Sequence, residues 1–242
     1  MTNCIIAEDK DSIMGNLYIV ATPIGNLQDI TLRAVEILKN VDTIVCEDTR
    51  KTGILLKSLN IENKHLISYY EQNELKRIPE IVNALKNGLN IALVSDAGTP
   101  TISDPGFKLV RECVKENIKV ESIPGASAAI SSLVSSGLPT DKFIFVGYPP
   151  KKEGHRKKFF ENIFKSIKIL KSTVIIYEAP HKILRTLEEM KEVFGDIEIV
   201  VARELTKIHE EIRREKISDS IAHFKKNNPK GEFVILLNSE SF

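Results

Sequence analysis

Two aspartates, two glycines and two prolines share the stretch Ser95-Asp96-Ala97-Gly98-Thr99-Pro100-Thr101-Ile102-Ser103-Asp104-Pro105-Gly106. Glycine permits φ > 0 and close approach of a ligand, and proline fixes φ, so this loop is rigid and open to a bound molecule. Three other short stretches carry residues that strands and helices do not need for folding: Pro23-Ile24-Gly25-Asn26, Glu47-Asp48-Thr49-Arg50 and Pro124-Gly125-Ala126-Ser127-Ala128. No G-x-G-x-x-G and no G-x-x-x-x-G-K-[ST] occurs, so neither a pyrophosphate cradle nor an ATP or GTP loop is expected. Asp48, Asp96 and Asp104 are not spaced as a ligand set, and no metal is expected. Glycine-rich loops without a phosphate cradle suit a cofactor that is polar but not strongly anionic.

The elements around these loops must place them together. Short apolar runs at 17–21, 43–46, 65–68, 91–94 and 119–123 read as strands. Each is followed by one of the loops above or by Tyr69-Tyr70-Glu71-Gln72-Asn73-Glu74, and then by a helical apolar spacing. Asp29 or Thr31 caps the first helix. Alternation of this kind with short links predicts a mostly parallel α/β sheet, whose loops converge at the carboxyl edge. Gly137-Leu138-Pro139-Thr140 is the strongest internal punctuation and places a domain boundary at residue 137. Beyond it, strands at 142–147, 173–178, 197–203 and 233–237, with an exposed ribbon at 210–215, follow one another more directly. That half is expected to be α+β with antiparallel pairs. Residues 1–16 are polar and aperiodic and read as a loose extension.

A chain of 242 residues with 34 Lys+Arg against 33 Asp+Glu can bury a real core but has no global field to draw it to nucleic acid or membrane. An anionic partner must meet a local patch. One is present: Lys151, Lys152, Arg156, Lys157 and Lys158, followed by Phe159 and Phe160, which are expected to enter the core. Cys4, Cys46 and Cys113 form no C-x-x-C pair, which indicates a reducing compartment and no structural zinc. No apolar run approaches the roughly 18 residues of a membrane span, so a cytoplasmic protein without a membrane partner is expected.

Taken in order, Leu17 to Asn26, Cys46-Glu47-Asp48-Thr49-Arg50, Ser68-Tyr69-Tyr70-Glu71-Gln72-Asn73-Glu74, Ser95 to Gly106, Pro124-Gly125-Ala126-Ser127-Ala128, Tyr177-Glu178-Ala179-Pro180-His181 and Ala202-Arg203-Glu204-Leu205-Thr206-Lys207 resemble the small-subunit ribosomal RNA cytidine 2′-O-methyltransferases of the tetrapyrrole methylase superfamily. The resemblance runs from Leu17 to Leu237. It implies a two-domain fold with S-adenosylmethionine held between the domains, a homodimer, and methylation of a decoding-centre cytidine ribose, with the assembled small subunit as partner. Longer members continue past the last strand, whereas this chain stops at Phe242, and it has Tyr70 and Gln72 where histidines are common.

Carried over motif by motif, the resemblance assigns the cofactor to Ile24, Asp96, Thr99, Ser127, Ala128, Tyr177, Ala202 and Gly231. Asp96 would hold the ribose or the amino-acid end. Ser127 and Ala128 open a helix whose N–H groups suit a carboxylate, and Tyr177, Ala202 and Gly231 would wall the adenine. A ribose hydroxyl is a poor nucleophile, so a base is expected: Asp48 first, with Arg50 orienting phosphate or polarising the oxygen, and Glu71 as substitute. His181 could serve as a base, but it reads rather as the cap of a helix beginning near Pro180. The Lys151, Lys152, Arg156, Lys157 and Lys158 patch would meet RNA phosphates, at a loop or junction where a 2′-OH is reachable. Two other readings stand beside this one: a methyltransferase for a tetrapyrrole or other small molecule, and a non-enzymatic cofactor-binding module.

Overall fold

The computed structural model describes residues 14–227 and 229–238. The extension expected at residues 1–16 lies outside the described residues except for Met14, Gly15 and Asn16. The amide of Gly15 donates to the Leu85 carbonyl at 2.8 Å and that of Asn16 to the Asn90 side chain at 3.0 Å. These two residues are therefore fixed to the fold ahead of the first strand. By their contacts the described residues divide into two units, one made of those up to Pro23 with Leu27–Ala126, the other of Ile24–Asn26 with those from Ser127 onward.

In the first unit β1 (Leu17–Val20), α1 (Leu32–Asn40), β2 (Thr43–Cys46), α2 (Thr49–Ser58), β3 (His65–Ser68), α3 (Glu74–Lys86), β4 (Ile91–Val94), α4 (Phe107–Lys115) and β5 (Val120–Ile123) alternate as expected. The sheet order is β3-β2-β4-β1-β5 and every pairing is parallel. Parallel strands are covered on both faces, and their apolar residues split accordingly. Ile19, Val45 and Leu93 pack with Ile81 and Leu85 of α3 and Leu109 of α4. Val20, Ile44 and Val94 pack with Ala34 and Leu38 of α1 and Leu56 of α2. Thr31 is the residue that caps α1, accepting from the Ala34 amide at 3.1 Å. The chain leaves β1 toward β2 and leaves β4 toward β5, on opposite sides. Adjacent β1 and β4 thus flank the point where the winding reverses, the place such sheets open a crevice.

The second unit comprises α5 (Ala128–Ser136), β6 (Phe143–Phe145), α6 (Glu153–Leu170), β7 (Thr173–Glu178), α7 (Ile183–Phe194), β8 (Glu198–Arg203), β9 (Glu211–Lys216), α8 (Ile217–Lys226) and β10 (Phe233–Leu237). Its sheet, β6-β7-β10-β8-β9, is mixed: β6 and β7 are parallel and the other neighbours antiparallel. One face packs on α6, α7 and α8 through Ile176, Val201, Ile235, Phe160, Leu187 and Phe224. The opposite face takes α5, which lies against β7 and β10. Arg214 of β9 closes the carboxyl end of that helix, its Nε donating to the Ser136 carbonyl at 2.8 Å. Because α5 packs in this way, the contacts divide the chain at Ala126/Ser127, ahead of the glycine and proline punctuation at residues 137–139. The cap expected from His181 is absent, since α7 starts at Ile183 with Lys182 at its N-cap position and no side-chain bond there.

One glycine in the first unit is demanded by space and conformation together. Gly106 has φ 135°, and a Cβ there would lie 2.7 Å from Leu93 Cδ2 and 2.9 Å from Thr101 Cγ2. Gly106→Ala is expected to cost about 1–3 kcal/mol through overpacking, read as a lowered urea midpoint with an unchanged slope.

Candidate active site

At the carboxyl edge of the parallel sheet the loops are tied to one another by short polar bonds. Thr22 and Gly98 form an isolated bridge, amide to carbonyl in both directions at 2.9 and 3.0 Å, and Thr22 Oγ1 donates to the Ser95 carbonyl at 3.2 Å. Thr99 Oγ1 donates to the Ala126 carbonyl at 3.1 Å, joining the β4 loop to the β5 loop. Asp96 joins the β4 loop to the start of α2: Oδ1 accepts from the Asp48 amide at 3.1 Å and Oδ2 from Lys51 Nζ at 2.7 Å. Thr101 and Ser103 hold φ of 74° and 63° in the same loop. For a β-branched residue such backbone is strained, and it is retained where the surroundings over-determine it.

The carboxylates gathered there are not equivalent. Asp48 caps α2, accepting from the Arg50 amide at 2.9 Å, and it also receives the Arg50 guanidinium as a fork, Nε at 3.1 Å and Nη2 at 2.8 Å. These bonds hold the Asp48 carboxyl well below the usual carboxylate range. A carboxylate so stabilised is a weak proton acceptor. Its geometry instead orients the Arg50 head through Nε and Nη2, with Nη1 outside the fork. Glu47, next to it in the chain, goes the other way. Burial raises its carboxyl most, and the negative charges of Asp96 and Asp104 raise it further. The sequence motif contains Glu47 but does not distinguish it from Asp48, because nothing in the local pattern says which of two neighbouring acids is withdrawn from water. Glu71 is exposed and follows edge strand β3, two strands from β4, about 10 Å across the sheet.

The second unit gathers another set. Tyr177, Val234 and Ala202 lie opposite one another across β7, β10 and β8, and so share one sheet face. Tyr177 Oη accepts from the Ala129 amide at 3.0 Å, so one of the first N–H groups of α5 already has a partner. Ser127 is the N-cap residue of α5 with no side-chain cap bond, and Ala128 is the first helical residue. Ala202 is wholly buried in its strand. Gly231 sits in the turn before β10 at φ 88°, and a Cβ there would lie 2.3 Å from the Glu204 side chain. Ile24 is buried, and the next residues meet the turn after β8: a Cβ on Gly25 would lie 2.6 Å from Thr206 Oγ1, which accepts from the Asn26 amide at 3.0 Å.

The basic patch is also divided by the structure. Lys151, Lys152, Lys157 and Lys158 are exposed, but Arg156 is only 2% exposed. Its Nε donates to Glu189 Oε2 at 2.9 Å and its Nη2 to Thr186 Oγ1 at 2.9 Å, and Thr186 in turn donates to the buried Glu178. Arg156 therefore cannot meet a phosphate as expected; its place on α6 turns it inward with Phe160 and Ile163. Among the described residues no cluster of three metal-ligating side chains occurs. A cavity of about 460 Å³ between α3 and α4 is lined by Leu75, Ile78, Val82, Lys108 and Arg111 among others, and by none of the candidate residues.

Residues 16–220 match the family model described as Tetrapyrrole (Corrin/Porphyrin) Methylases. The chain belongs to this family. Among its relatives, a Hydrogenobaculum protein named ribosomal RNA small subunit methyltransferase I is 50% identical over 93% of this chain and 96% of its own length. A Thermotoga maritima protein of the same name is 46% identical over 94% of this chain and 100% of its own. A Synechocystis protein, also of that name, is 48% identical over 93% of this chain but 79% of its own. Solved structures share the fold at low identity. Cobalt precorrin-4 methyltransferase superposes with a TM-score of 0.68 at 15% identity, covering 91% of this chain and 93% of that one. Diphthine synthase superposes with a TM-score of 0.70 at 14% identity, covering 93% and 90%. Like other members of the family, this methylase takes its methyl group from S-adenosylmethionine. The unit-one loops fit such a donor: Glu47, Asp96 and Asp104 put negative charge beside the β1/β4 crevice, suited to a sulfonium and to ribose hydroxyls, where no phosphate cradle exists.

Proposed function

We propose that this protein methylates the 2′ oxygen of a cytidine ribose in the decoding centre of small-subunit ribosomal RNA. The observation that carries the reading is likeness over nearly the whole chain, at 46–50% identity, to relatives whose names specify small-subunit ribosomal RNA. S-adenosylmethionine supplies an electrophilic methyl on a good leaving group. What the chain must add is position and a proton acceptor. Orientation of two bound reactants is worth on the order of 7–11 kcal/mol. The residues proposed to hold the donor are Ile24, Asp96, Thr99, Ser127, Ala128, Tyr177, Ala202 and Gly231.

Glu47 takes the ribose proton in this reading, in place of Asp48. A half-buried carboxylate whose affinity for protons has been raised suits the task better than one held ionised by a guanidinium. Asp48 keeps the Arg50 fork aligned for a phosphate, and exposed Glu71 has no part in the proton transfer. Lys151, Lys152, Lys157 and Lys158 meet RNA phosphates. The working form is a cytoplasmic homodimer acting on the assembled subunit. The outward residues of α5 support the dimer: Ile130 and Val134 are 45% and 71% exposed on a helix with no charged side chain. Among the described residues no helix is long and apolar enough to cross a membrane.

The test is transfer of label from methyl-labelled S-adenosylmethionine. Small subunits from cells lacking this gene should take up the label at one cytidine ribose, and a porphyrinoid should take up none. Label on the porphyrinoid alone would replace this reading with the small-molecule one; cofactor binding with no transfer to either would make the protein a binding module.

A further inference from the structure

We infer that Tyr148 is the platform on which an unpaired base of the RNA strand stacks, and that the lysine face of α6 holds the phosphates beside it. This inference rests on the RNA reading above and adds to it a residue and a mode of binding. Tyr148 is 52% exposed, yet its ring is backed by others. It lies edge-on to Tyr177 with centroids 5.7 Å apart, and Tyr177 lies edge-on to Phe145 at 4.7 Å. Tyr177 is itself pinned by the bond from the Ala129 amide, so the rings form a fixed wall with half-exposed Tyr148 at its end.

The chain on either side of Tyr148 is stiff. Gly147 leaves β6 at φ 67°, its carbonyl held by the Tyr177 amide at 3.0 Å, and Pro149 and Pro150 follow. An exposed ring that loses little freedom on binding is what base stacking needs. The wall leads within three residues into the lysines. At 100° per residue, Lys157, Lys158, Lys165 and Lys168 of α6 fall within about 100° of arc and along about 16 Å of helix. Arg156, Phe160, Ile163 and Ile167 occupy the buried side.

None of Lys151, Lys152, Lys157, Lys158, Lys165 and Lys168 forms an ion pair among the described residues; Lys168 Nζ lies over the Phe164 ring. Of the nearby acids, Glu153 pairs with Arg185 and Glu189 with Arg156 and Arg185, which leaves Glu161 as the acid on the lysine face. An aromatic ring can take only a base free of its duplex partner, so the arrangement selects a loop or junction over a regular helix.

The chain contains no tryptophan, so Tyr148→Trp introduces a single indole as a reporter. Its emission should be quenched when a single-stranded oligocytidylate is added, and much less by a duplex of equal length. With unmethylated small subunits as substrate, Tyr148→Ala should raise KM about 5- to 150-fold. The loss should fall on KM for the subunit rather than on kcat, and Tyr148→Phe, which keeps the ring, should restore KM to within about twofold. An unquenched indole, or Tyr148→Ala with wild-type KM, overturns the inference and leaves the RNA reading standing. Wild-type protein that binds S-adenosylmethionine but labels no subunit overturns both.

Discussion

Glu47→Gln is expected to lower kcat for subunit methylation by about 10²–10⁴-fold, and calorimetry should find the affinity for S-adenosylmethionine unchanged. Glutamine keeps the length and polarity of the side chain and removes only its capacity to take a proton. The pH profile supplies the independent check. A base acts in its ionised form, so the rate rises with pH through its pKa. Burial, then Asp96, then Asp104 raise the Glu47 carboxyl, so the rising limb belongs above the ordinary glutamate range. Asp96→Asn removes one of the charges that raise it and should move that limb to lower pH, whatever it does to cofactor affinity. Asp48→Asn provides the contrast. Asparagine still caps α2, but the Arg50 fork is lost, so the change should appear chiefly in KM for the subunit. A large loss of kcat in Asp48→Asn, with Glu47→Gln active, would return the proton to Asp48.

Arg156→Ala should lower stability by about 3–5 kcal/mol, the usual result of removing one partner of a buried ion pair. At roughly 2–4 °C per kcal/mol for a chain of this size, the melting temperature falls by roughly 6–20 °C, read by circular dichroism. The guanidinium lies beneath the first turns of α6, between Glu189 and Thr186, and Thr186 passes the network on to Glu178. Removing it leaves those groups buried with fewer partners. Lys157→Ala, one residue along and exposed, should leave the melting temperature within about 1 °C, because surface changes are small, and should weaken RNA binding in a salt-dependent way. If Arg156→Ala melted normally and bound RNA poorly, the residue would belong to the RNA surface after all.

These two cases show where local pattern suffices and where it does not. The strands at 43–46, 65–68, 91–94 and 173–178 were readable because each is a short apolar run between turn residues, a property of neighbours in the chain. The loops of the candidate site were readable for the same reason: glycine, proline and aspartate have backbone preferences of their own. The family likeness was readable because seven such stretches fall in a fixed order. Burial of a charge is a different matter. Arg156 and Lys157 are consecutive basic residues, and only the packing of α6 on α7 sends one inward and the other out. Glu47 and Asp48 are consecutive acids, and their proton affinities part because one caps a helix beside a guanidinium while the other is withdrawn from water near Asp96 and Asp104. The sheet order β3-β2-β4-β1-β5, which sets β1 beside β4 and so locates the crevice, likewise depends on pairings between strands more than seventy residues apart. Sequence thus determined the elements, the loops and the family, since these follow from conformational preference and order along the chain. Tertiary structure alone decided which charged group faces water, because that depends on neighbours far away in the sequence.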